Sequence, residues 1–155
     1  MIFFRELVDW LFPRVELYDD ELFGALRRVG KGNWKGETTI HNEADIVWSM
    51  SLEIEAGEGR PTVAQREIYK GIIARYGSIW DTIADAIASI HPQFVTVSQV
   101  NDNIDSMCLL TLECEVSGEP LVWSLVYSFN SEQGGDMGYI ADFAGWEFQG
   151  LQEVD

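Results

Sequence analysis

An α+β fold is predicted for this 155-residue chain by three features of its sequence. Residues 47–55 alternate strictly between apolar and polar, as a half-buried strand must when successive side chains leave opposite faces. Residues 63–90 instead repeat their apolar positions every three or four places behind a capping signature, which is the period of a helix. From Phe94 onward the alternation returns, so the order is sheet, helices, sheet, without the strand–helix alternation of a doubly wound fold. The expected architecture is a single α+β domain over residues 1–155. It comprises antiparallel sheet from N- and C-terminal strands, a central helical pair and a short N-terminal helix.

Met1–Pro13 is apolar but interrupted by Arg5, Glu6 and Asp9. It is too short to span a bilayer and no small-residue cleavage site follows it, so it is read as an amphipathic helix docked on the core, with a partner-binding helix as the second reading, in a cytoplasmic protein. Asp19 and Asp20 separate Val15–Tyr18 from Leu22–Val29, giving strand, turn, strand. Gly30, Gly32 and Asn33 make the next turn, before the strand Trp34–Ile40. In Val47–Glu55, Trp48, Met50, Leu52 and Ile54 take the inner face and Ser49, Ser51, Glu53 and Glu55 the outer one.

Thr62 with Gln65 three residues on is a capping-box pattern, placing a helix start near Val63. Its stripe is Ala64, Ile68, Tyr69, Ile72, Ile73 and Tyr76. Gly77 suits a helix end, and Ser78 with Asp81 suits a second start, with stripe Ile79, Ile83, Ile87 and Ile90. His91 and Pro92 stop it, so the two segments form a helical hairpin or a kinked pair. Cys108, Leu110, Leu112, Cys114 and Val116 then share one face of a strand, with Glu113 and Glu115 opposite. Gly118–Pro120 turns the chain into Leu121, Trp123, Leu125, Tyr127 and Phe129. Tyr139–Phe143 and Trp146–Val154 are the last strands, hinged at Gly145.

The bulk numbers bound the function. Hydrophobic residues at 46%, with six Trp, eight Phe and five Tyr, argue for a packed core over disorder. The net charge of -16 repels polyanions, so neither nucleic acid nor an anionic membrane is an expected partner. That charge is concentrated. Residues 1–60 hold 12 acids and 7 bases, residues 61–92 hold 3 of each, and residues 93–155 hold 11 acids and no base. Cys108 and Cys114, six apart on one strand, are about 20 Å apart at ~3.3 Å per residue and cannot bridge. They are read as small core residues of a reducing compartment.

No catalytic, cofactor or metal motif emerges. Gly30–Gly36 resembles a phosphate loop but precedes a strand, so no helix N-terminus faces a phosphate. Asn101, Asn103 and Asp105 have calcium-loop spacing, but Ser106 and Leu112 replace the glycine and the bidentate glutamate. His41 and His91 lie outside any metal spacing, and Ser49, Ser51, Ser124 and Ser128 lack a nucleophile elbow.

The outward carboxylates are more informative. If the strands of Glu53 and Glu55 and of Glu113 and Glu115 are neighbours, four carboxylates share one sheet face and attract a basic surface; the same glutamates also serve simply to keep a sheet soluble. Asp136 belongs to a loop beside that face. Trp34 and Trp146, next to glycines at strand ends, are expected to be partly exposed and to take part in partner contact.

Gly32-Asn33-Trp34-Lys35-Gly36, the acidic strand ending near Glu55, Gly59-Arg60-Pro61-Thr62-Val63-Ala64-Gln65 and the closing Trp-bearing strands resemble a group of uncharacterised bacterial domains. Some of these look like immunity proteins of polymorphic-toxin systems. The resemblance spans residues 20–155 and carries no catalytic residue. It implies a non-enzymatic protein that binds a basic partner such as a toxin. The other open readings are a regulatory or scaffolding domain that self-associates and an enzyme of unrecognised type.

Overall fold

The computed structural model describes residues 15–41, 47–90, 104–131 and 135–154. Among the described residues, eight strands form one sheet whose spatial order is their order in the chain. They are β1 (Leu17–Asp20), β2 (Gly24–Val29), β3 (Asn33–His41), β4 (Val47–Glu55), β5 (Ile104–Leu112), β6 (Val122–Ser131), β7 (Gly135–Ala144) and β8 (Glu147–Val154). β1–β4 and β5–β8 are antiparallel meanders. β4 and β5 are parallel, with Leu52 opposite Leu110 and Ile54 opposite Leu112. A parallel pair cannot be joined by a tight turn. The helix α1 (Val63–Ile90) lies within that crossover.

The expected strand periodicity is seen over part of its length. Met50, Leu52 and Ile54 are buried, as are Leu110, Leu112, Leu121, Trp123, Leu125 and Tyr127, and all join one hydrophobic cluster with the buried stripe of α1. Trp123 stacks on Phe143 at 4.1 Å between centroids with 6° between planes. Such a pair contributes about 0.5–1.5 kcal/mol beyond its buried area. The Trp123 Nε1–H donates to the Gly145 carbonyl at 2.7 Å, so the largest side chain of β6 also anchors the β7–β8 turn. The two-residue turn needs Gly145 at φ +58, a conformation open to glycine at little steric cost.

Three expectations are corrected. The helical pair is one 28-residue helix, kinked at Arg75 (φ -123, ψ 18). Gly77 does not end it. The stripe Ile68, Tyr69, Ile72, Tyr76, Ile79, Ile83, Ile87 continues through the kink, and burial of that continuous face outweighs the local stop signals. Ile73 and Ile90, assigned to the stripe from sequence, are exposed. The Ser78 hydroxyl donates to the Arg75 carbonyl at 3.0 Å, satisfying backbone at the kink instead of capping a new helix.

Second, β5 stops at Leu112, so Cys114 and Val116 are exposed loop residues and Glu113 and Glu115 do not lie on a strand face. The Glu113 amide donates to the Val122 carbonyl at 3.0 Å, and beyond it a turn closes from the Glu119 amide to the Val116 carbonyl at 3.1 Å. Gly118 supplies the φ of +83 that this turn requires. The alternation of residues 108–116 runs past the last strand pairing because the turn signals, Gly118 and Pro120, lie a few residues beyond the point where β5 ends. Third, Asp136 is in β7, opposite Asn130, and not in a loop. The expected N-terminal helix over residues 1–13 lies outside the described residues, as do His91 and the side chains of Trp48, Cys108 and Phe129.

Candidate functional site

Local chemistry decides where the carboxylates can act. At the helix start the predicted capping box forms. Thr62 Oγ1 accepts from the Gln65 amide at 3.3 Å, and Gln65 Oε1 accepts from the Thr62 amide at 2.9 Å. The buried Gln65 does more, because its Nε2 donates to the carbonyls of both Glu55 and Glu113, each at 2.8 Å. One side-chain amide therefore joins the end of β4, the exit of β5 and the first turn of α1. The backbones of Glu55 and Glu113 are thereby neighbours, as the shared-patch expectation required.

Their carboxylates are not equivalent. Glu53 is half-buried and forms an ion pair with Lys35, its register partner on β3. Glu55 is half-buried, whereas Glu113 and Glu115 are exposed on the β5–β6 loop. The acidic surface is therefore at the loop end, with Glu119 in the same loop and Glu147 opening β8 beside it, and not on the flat sheet face. Asp142, on the outer face of β7, accepts from Gln152 Nε2 at 2.6 Å. The side chain of Asp136 is outside the described residues.

The two tryptophans diverge. Trp34 is 0% exposed, contrary to expectation, and its Nε1–H donates to the Gly59 carbonyl at 2.9 Å. Its place on the inner face of β3, opposite Ile54, outweighs its closeness to glycines. Trp146 is 42% exposed. One side of its ring is nevertheless occupied. The Arg75 guanidinium lies 3.7 Å from the ring centroid, Trp123 meets it edge-on at 6.1 Å, and the indole sits so close to Gly71 that a Cβ there would come within 2.3 Å of Cη2. Trp146 pins the β7–β8 turn to α1 and leaves only its remaining surface for a partner.

A second polar centre was not found from sequence. Asp20, with a side chain 1% exposed, forms a bidentate pair with Arg66 of α1, one arm at 2.9 Å between Oδ1 and Nη1. Its Oδ1 also accepts from the Leu22 and Phe23 amides at 2.9 and 3.2 Å, turning β1 into β2. Burial alone would raise this carboxyl. The Arg66 pairing, the two amides and the Tyr18 hydroxyl outweigh it and hold the group well below the ordinary carboxylate range. Deeper in the core, burial pushes the Tyr76 phenol up to about 12 and Tyr127 well above its ordinary value, with Tyr76 against Tyr127 at 3.4 Å. Tyr139 is likewise pushed up to about 12, by burial first and then by Glu153.

A groove of about 1010 Å³ runs over the outer face of β1–β4. Leu17, Asp19, Arg27, Lys35, Glu37 and Glu53 stand along it, over small residues that include Ala25, Gly36 and Ser51. Sequence reasoning missed it because its residues meet only through the pairing register of four strands.

Among the described residues no three His, Cys, Asp or Glu side chains are placed to hold a metal ion, and every buried side-chain N or O atom has a partner. His41 is exposed at the end of β3. No described helix is long and apolar enough to cross a membrane. Compared with protein-family profiles, curated proteins and solved structures, the chain matches none.

Proposed function

We propose that this chain is a non-enzymatic binding protein of the immunity type, which neutralises a basic partner, such as a bacterial toxin, by covering it with the acidic half of its sheet. The observation that carries this reading is the strand order. Because the strands lie in space as they lie in sequence, the 63 residues without lysine or arginine keep β5–β8 together as one side of the sheet. Those 63 residues hold eleven acids, and Glu113, Glu115, Glu119 and Glu147 are exposed at the loop end of that side. A predominantly acidic surface of this kind, to which α1 contributes the Arg75 guanidinium packed on Trp146, steers a cationic partner and raises its association rate by about 10–10³ at low ionic strength. The exposed remainder of Trp146 supplies an aromatic contact at the same end, and the resemblance to immunity domains agrees with this mode of action.

The test is to identify the partner by affinity capture from the native host and measure its association rate as ionic strength rises. The rate should fall steeply with salt, and the double substitution Glu113→Lys, Glu115→Lys should slow association at low salt by roughly tenfold or more. A salt-independent rate, unchanged in the double variant, counts against steering by this surface.

A further inference from the structure

The groove over β1–β4 lies on the half of the sheet that carries all of the sheet's cations, since residues 93–155 have none. Two of these cations face each other across adjacent strands, because Arg27 pairs in register with Lys35. Like charges directly opposite on a sheet repel. Lys35 is compensated on its other side by Glu53, its register partner on β4. Arg27 is not: it is exposed, and among the described residues no carboxylate lies within ion-pair distance of it. Among the described residues, a chain with 26 acids and 10 bases thus offers this guanidinium no ion-pair partner, beside an ammonium inside the groove.

The surroundings narrow what would fit. A guanidinium presents a planar fork of donors that matches a carboxylate or phosphate with two parallel bonds. Asp19 and Glu37 also line the groove, so a bare polyanion would meet repulsion there, whereas hydroxyl or ammonium groups would find acceptors. Leu17, 77% exposed, offers an apolar wall. A volume of about 1010 Å³ exceeds what a single inorganic ion needs and is at the upper end of pockets for small organic ligands.

We propose that this groove is a binding site for a small organic oxyanion that also carries hydrogen-bond donors, with Arg27 and Lys35 receiving its carboxylate or phosphate and Asp19 and Glu37 its donors. The site is separate from the acidic surface of β5–β8 and stands whether or not that surface binds a toxin.

The experiment titrates citrate, glycerol 3-phosphate and inorganic phosphate separately into the ¹⁵N-labelled full chain at constant ionic strength and follows amide shifts. Saturable shifts confined to Arg27, Lys35, Ser51 and their neighbours, with either organic ligand, are expected. The organic ligand that binds tells a carboxylate from a phosphate source. Arg27→Gln should weaken that binding at least tenfold, Arg27→Lys should weaken it less, and Lys70→Gln, on the exposed side of α1, should leave it unchanged. The proposal is overturned if neither organic ligand gives such shifts, or if inorganic phosphate binds as well as both. It is also overturned if shifts spread evenly to Lys70 and the other cations, or if Arg27→Gln, folded by its own amide spectrum, binds as wild type does.

Discussion

Replacing Gln65 with methionine keeps the length and most of the volume of a fully buried side chain while removing every polar atom at its end. Three bonds disappear. They are the two donated at 2.8 Å to the carbonyls of Glu55 and Glu113 and the one accepted at 2.9 Å from the Thr62 amide. A hydrogen bond contributes about 1 kcal/mol net, and a buried group left without a partner costs ~1–3 kcal/mol. Since two carbonyls at the β4–β5 junction and one helix amide are orphaned together, Gln65→Met should cost about 3–5 kcal/mol. Thr62→Ala is the control, because it removes only the long 3.3 Å bond of the same cap and should cost about 1 kcal/mol. Urea unfolding followed by tryptophan fluorescence separates the two. At a slope of about 2 kcal/mol per molar urea the Gln65→Met midpoint falls by roughly 2 M, against roughly 0.5 M for Thr62→Ala. Gln65→Glu adds a pH signature. Two carbonyl oxygens facing the new carboxyl favour its protonated form, so its folded pKa lies above the unfolded value of about 4.3. The stability it retains is present below that value and is lost as pH rises through the folded pKa. A Gln65→Met midpoint no lower than that of Thr62→Ala would refute the idea that Gln65 joins the two halves of the sheet.

Asp20 and Arg66 give the opposite pH dependence. With the folded carboxyl held below its unfolded pKa, its contribution is present above about pH 4 and is lost as pH falls toward the folded value. Asp20→Asn should cost about 2–3 kcal/mol at neutral pH, less than a fully buried pair because Arg66 is partly exposed, and the cost should shrink in acid unfolding curves. At Gly71, alanine would ordinarily favour a helix by about 1 kcal/mol. Here its Cβ meets Trp146, so Gly71→Ala should instead destabilise by ~1–3 kcal/mol. In a Trp146→Ala background the same change should become neutral or stabilising; a penalty that persists there would show that Trp146 is not the obstacle.

The elements that were legible in the sequence are those whose pattern one segment carries by itself. Val47–Glu55 alternates without interruption, and its inner residues from Met50 onward are buried as read. Thr62 and Gln65 are three apart, so a reciprocal cap can be inferred from spacing alone. What failed depended on other segments. Gly77 and Ser78 carry valid stop and start signals, but the helix continues because one face of it remains covered by strands from both halves of the sheet. Trp34 has a glycine two residues away on either side, yet its burial is set by strand register. Gln65 shows the limit most clearly: its capping role was visible, while its bonds to carbonyls 10 and 48 residues away were not.

Strand order explains why the charge asymmetry of the sequence has a spatial meaning at all. In a sheet whose strands interleave, a lysine-free stretch would be scattered among basic strands and its field diluted within about one Debye length, some 8–10 Å at ordinary ionic strength. Here β5–β8 are four consecutive neighbours and even β5 is three strands from the β2 of Arg27, roughly 14 Å at ~4.8 Å per strand, so these strands lie more than a Debye length from Arg27. Lys35 and Arg27 are accordingly too far away to neutralise Glu113, Glu115 and Glu147 in physiological salt. The separation holds for the Arg27 side of the β1–β4 groove but not for its β4 side, where Ser51 and Glu53 pair directly with Leu109 and Thr111 of β5. Exchanging Glu113, Glu115 or Glu147 should therefore alter binding at Arg27 less than exchanging Asp19 or Glu37, which line the groove itself.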